Sequence, residues 1–92
     1  MNTPVPPTGC SFKAQSASGL VYTGPGTLVL LLITSSSSAV LNIYDNTAAS
    51  GTKIVDSLAV DAKEEYDIPA HFSTGLYVEL SSGSGKWTVF YV

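Results

Sequence analysis

Between Gly26 and Thr34 the chain reads G-T-L-V-L-L-L-I-T, six apolar residues in a row with no polar alternate. Extended, the run puts Leu28, Leu30 and Leu32 on one face and Val29, Leu31 and Ile33 on the other. A strand apolar on both faces has to be covered on both faces. The C-terminal segment K-W-T-V-F-Y-V repeats the problem, with Trp87, Val89 and Tyr91 on one side and Thr88, Phe90 and Val92 on the other. A chain of 92 residues makes one small domain, and two such strands leave more apolar surface than one core can hold. The expectation is a homo-oligomer, or permanent docking on a larger body.

Elsewhere the pattern is short strand, turn, short strand. Segment 12–16 reads as a short edge strand and 20–23 as another, closed by Gly24-Pro25-Gly26, a strong turn signal. Four serines at 35–38 read as a polar loop before A-V-L-N-I-Y, whose Leu41 and Ile43 point inward and Asn42 and Tyr44 outward. Segment 45–51 is a loop rich in Asx-turn formers. Segments 52–60 and 63–69 are further strands, the second ended by Pro69. Segment 73–81 alternates cleanly, with Leu76, Val78 and Leu80 inward, and Ser82-Gly83-Ser84-Gly85 reads as a hairpin loop. Only 59–65 has any helical propensity. Seven to eight short strands at such spacing predict an all-β chain, a single antiparallel, jelly-roll-like β-sandwich. Residues 1–19 are assigned to an extended N-terminal arm and 20–92 to the sandwich. Within the arm, Pro4, Val5, Pro6 and Pro7 favour an extended, polyproline-like path suited to a neighbouring surface, although an ordinary chain terminus reads the same way.

Charge narrows the partners. The net charge is −3, with four lysines, no arginine and a charged fraction of only 12%. Lys13, Lys53, Lys63 and Lys86 are scattered, so no basic stripe exists for nucleic acid or an anionic membrane. The apolar run falls far short of the ~20 residues of a membrane span, and no signal-peptide pattern opens the chain. Synthesis and folding in a cytoplasm are expected. Cys10 is the sole cysteine, so no intrachain disulfide forms, and an intermolecular one is the sharper alternative to a plain, partly buried thiol.

No catalytic constellation appears. His71 is the only histidine, and neither H-x-x-x-H nor G-x-S-x-G accompanies it. Asp61, Glu64, Glu65 and Asp67 cluster without EF-hand spacing, which suits a solvated acidic rim. The glycine turns precede no helix and are not phosphate cradles. Neither an enzyme nor a cofactor is expected. Tyr44, Tyr77 and Trp87 are possible platforms for a sugar ring, against the plainer reading of cross-strand aromatic pairing. The surfaces expected to make contact are Pro4, Val5, Pro6, Pro7, Cys10 and Phe12 from the arm, with Val29, Leu31, Ile33, Phe90 and Val92 from the two apolar strands.

Four stretches then stand out together: Ile43-Tyr44-Asp45-Asn46-Thr47, Ala49-Ser50-Gly51-Thr52, Phe72-Ser73-Thr74-Gly75-Leu76-Tyr77-Val78 and Thr88-Val89-Phe90-Tyr91-Val92. They resemble a group of small all-β structural proteins of tailed bacteriophages, over about residues 28–92. The resemblance implies a virion component with no catalytic residues. The preferred reading is a capsid decoration (cement) protein, a trimer at a symmetry axis bound to the major capsid protein. The alternatives are a head-fibre or tail-associated protein, or a carbohydrate-binding module.

Overall fold

A computed structural model describes residues 10–92. The described residues form six strands, β1 (Ser11–Gln15), β2 (Gly19–Thr23), β3 (Gly26–Tyr44), β4 (Lys53–Ala59), β5 (Glu65–Phe72) and β6 (Gly75–Tyr91). All pairings are antiparallel and belong to one sheet. The all-β expectation holds. Two of the strands, however, are far longer than the sequence pattern suggests.

The long pair is the frame. β3 and β6 lie side by side from Leu28 opposite Tyr91 to Tyr44 opposite Tyr77. The first half of β3 is flanked by β5, and the second half by β4. On the far side of β6, β1 pairs with its second half and β2 with its first. Nineteen residues at roughly 3.3 Å each would run about 60 Å. The longest dimension of the described chain is 41 Å, so β3 is strongly bent. The bend sits where both serine-rich segments were expected to be loops. Ser35 lies opposite Lys86, Ser36 opposite Gly85 and Ser37 opposite Ser84, with register shifts on either side. Ser38 and Gly83 both adopt left-handed backbone there, at φ of 56° and 74°. A Cβ on Gly83 would collide with the backbone of Ser37 and Ser38, so this position needs glycine twice over. Serines and glycines that would close a hairpin bend two continuous strands instead.

The core joins both halves of the bent sheet. It gathers Leu28, Leu31 and Ile33 with Leu41, Ile43, Leu76, Val78, Trp87 and Val89, all essentially inaccessible. The strict alternation expected of residues 28–33 breaks once. A register shift between Leu28 and Leu30 interrupts pairing with both β5 and β6. The extra residue reverses the phase, so Leu28, Leu31 and Ile33 all turn inward while Val29, Leu30 and Leu32 stay half-buried.

One further expectation is corrected, at Pro69. Residues 11–15 form β1, where a short strand was expected at 12–16, and pair regularly with β6 from Ser11–Tyr91 to Gln15–Trp87. Pro69 does not end its strand, because β5 continues to Phe72. As an outer strand paired only to β3, it tolerates a residue that lacks an N–H. Residues 59–65 make no helix. The chain turns at Lys63, whose φ is 66° and whose N–H donates to the Ile33 carbonyl at 2.7 Å.

Candidate interaction surface

Residues directly opposite one another across an antiparallel pair share a face. The registers therefore define the outer surface of the β1–β6–β3–β5 half. One row runs Phe12, Phe90, Leu30, Asp67, and the next runs Ala14, Thr88, Leu32, Glu65. Phe12 is 68% exposed and Val92, beside the first row, is 57% exposed. Phe90, Leu30 and Leu32 are half-buried. The Phe12 and Phe90 rings lie 6.3 Å apart. The result is an apolar stripe with acidic residues along the β5 margin. Scattered exposed apolar residues are ordinary, whereas these lie in adjoining register rows.

The residues singled out in the sequence divide between this stripe and the core. Phe12, Phe90 and Val92 lie on the stripe, and Val29 borders it at the register shift. Leu31 and Ile33 do not, since the phase reversal puts them in the core at 0% and 1% exposure. Leu30 and Leu32 occupy the outward positions instead. Nothing in sequence signals that exchange, because the shift arises from pairing with two distant strands. Cys10 is exposed. Pro4, Val5, Pro6 and Pro7 lie outside the described residues.

The three aromatic residues considered for sugar binding do not form a platform. Trp87 is 1% exposed and its indole N–H donates to Gln15 Oε1 at 2.9 Å. Tyr44 is buried, and its hydroxyl donates to Glu79 Oε1 at 3.0 Å. Tyr77 is half-buried opposite Tyr44. The same Glu79 oxygen accepts the Asn42 amide at 2.8 Å, and Asn42 Oδ1 accepts the Ser57 N–H at 2.6 Å. Ser57, at φ 58°, belongs to a bulge in β4 where the register with β3 shifts. This network is structural. Donation by Asn42 and then Tyr44 holds the Glu79 carboxyl below its ordinary value, while burial and that same hydrogen bond push the Tyr44 phenol up.

A shallow cleft brings together Thr27, Asp45, His71 and Ser73. Thr27 Oγ1 and His71 Nδ1 are hydrogen-bonded at 2.8 Å. Asp45 is engaged with the turn between β5 and β6. Its carboxylate accepts the N–H of Ser73 at 3.0 Å, of Thr74 at 2.9 Å and of Gly75 at 3.4 Å, along with the Ser73 hydroxyl at 3.2 Å. These donors, Thr74 first, hold the carboxyl below its ordinary value. His71 therefore faces a threonine, and Ser73 is bonded to Asp45 without an intervening base, so the cleft lacks the nucleophile–base–orienter order. Among the described residues, no group of three or more His, Cys, Asp or Glu side chains converges as metal ligands. None of the structure is a helix long and apolar enough to cross a membrane, again among the described residues.

The Asp45 contacts also explain two of the sequence stretches singled out above. I-Y-D supplies the carboxylate and F-S-T-G supplies the N–H groups that it caps, so the two are halves of one interaction. The spacing serves the fold. Comparison with protein-family models, curated proteins and solved structures returns no match.

Proposed function

We propose that this chain is a structural protein of a tailed-phage virion, a capsid decoration protein that acts by protein–protein contact. The observation that carries the reading is the outer stripe of Phe12, Phe90, Leu30 and Leu32, with Val92 at its end. The resemblance of residues 28–92 to small phage structural proteins supplies the kind of particle. In this reading the bent sheet is a two-layer, jelly-roll-like sandwich. One layer offers its outer face to the shell, and copies of the chain associate with one another and with the major capsid protein.

The mechanism is mass action. Apolar area removed from water contributes roughly 25 cal/mol per Å². Contact spread over neighbouring capsid subunits forms only in the closed lattice, so it stabilises that state over an opened one. No bond is made or broken, and no cofactor takes part. The low charged fraction of 12% suits a surface meant to be covered.

Quantitative mass spectrometry of purified virions tests the assignment. A copy number comparable to that of the major capsid protein supports decoration. A few copies per particle assign the chain to a head fibre or the tail, and absence from the particle removes the virion reading.

A further inference from the structure

The four outer strands of the sheet are not equivalent. β2 shifts register against β6 between Leu20 and Tyr22. β4 carries the Ser57 bulge, and its pairing with β3 shifts twice. β5 shifts beside Leu28–Leu30 and contains Pro69 as well as Glu65 and Asp67. Bulges, prolines and charges of this kind are what keeps an outer strand from pairing with another chain. β1 has none of the first two. All five of its residues pair with β6 in unbroken register, and residues 10–16 contain no proline and no acid. Its single charge, Lys13, turns its ammonium back onto the Leu20 carbonyl at 2.9 Å. No described strand lies along its other side. Among the described outer strands, the one in unbroken register is thus the one that carries Phe12, the most exposed of the large apolar residues described.

We infer that β1 is the docking edge for a second copy of this chain, paired antiparallel about a two-fold axis through Phe12. The register follows from side-chain matching. A two-fold axis between identical antiparallel strands must pass through a residue, because opposed residues have to share a face. An axis through Lys13 sets two ammonium stems directly opposite each other, which is destabilising. An axis through Phe12 sets the two Phe12 rings together, Lys13 against Ser11 of the other copy, and Ala14 against Cys10. It also joins the two Phe12–Phe90–Leu30 rows end to end into one apolar band. The axis is two-fold, so the assembly is a pair rather than the trimer expected above. The pairing stands or falls independently of the capsid assignment.

The test uses the full chain. In a Cys10→Ser background, Phe12→Cys should oxidise in air to a disulfide-linked pair. An antiparallel neighbour places the two Cα atoms about 4.5–5.5 Å apart, inside the roughly 4.4–6.8 Å range of disulfides. Ala14→Cys in the same background, four residues off register, should stay unlinked. Under reductant, the unaltered chain should sediment at twice its 9.6 kDa mass and Phe12→Lys at 9.6 kDa. Phe12 is so exposed that neither substitution threatens the fold. A monomer at high micromolar concentration overturns the inference. So does a pair that links through position 14 and not 12, or an assembly of any size that Phe12→Lys leaves intact. A trimer insensitive to Phe12→Lys overturns this pairing while leaving the capsid reading in place.

Discussion

The Asp45 carboxylate accepts the backbone N–H of Thr74 at 2.9 Å, tying the end of β3 to the turn between β5 and β6. With Ser73 and Gly75 as further donors, one side chain satisfies most of a turn that enters the sheet's longest pairing. The carboxyl is held below 3.8, its ordinary value, so folding favours the charged form. The stabilisation is present in full above 3.8 and is lost as pH falls through the depressed folded value. Asp45→Asn should therefore lower the melting temperature most at neutral pH. The gap from the unaltered protein should narrow as pH drops below 3.8. Melting curves across that range check it, and a gap constant with pH would show that charge at this position is irrelevant.

Gly75 follows that turn at the start of β6, and a Cβ there would meet Asn46 O and Tyr22 O at 2.9 Å. Both are backbone atoms, so neither moves by a simple rotamer change. Gly75→Ala should cost about 1–3 kcal/mol, the usual range for forcing atoms into a packed site. Urea denaturation measures it. A neutral substitution would mean that β2 and the 45–51 loop are looser than they look.

Leu31 and Leu32 separate core from surface within one strand. Leu31→Ala should destabilise by about 2–5 kcal/mol, and Leu32→Ala by less than half as much. Reversed sensitivities would place the register shift on the wrong side of Leu30.

The apolar run at 28–33 was sufficient to locate the central strand, because nothing but a strand covered on both sides accommodates it. The inward sets Leu76/Val78 and Trp87/Val89 were equally legible, and so was Leu41/Ile43, although Asn42 and Tyr44, expected outward, are buried as well. The bend was not. Ser35–Ser36–Ser37–Ser38 and Ser82-Gly83-Ser84-Gly85 carry turn composition, and only their position opposite each other in a long pair makes them strand. The reversal of phase at Val29 is set by two partners more than thirty residues away in the chain, and no local pattern records it. For the same reason the sequence turned Leu31 and Ile33 outward, where the structure has Leu30 and Leu32. Asp45 looked like a loop former because its donors lie 28–30 residues downstream.

The outer stripe is the centre of the functional account, and a binding titration against particles stripped of this protein tests it most directly. Leu32→Lys places a charge on the stripe without touching the core. The unaltered chain should saturate the particles and resist washing, while Leu32→Lys, folded and equally soluble, should fail to do so. Equal binding by both proteins, or no binding by either, would contradict the account.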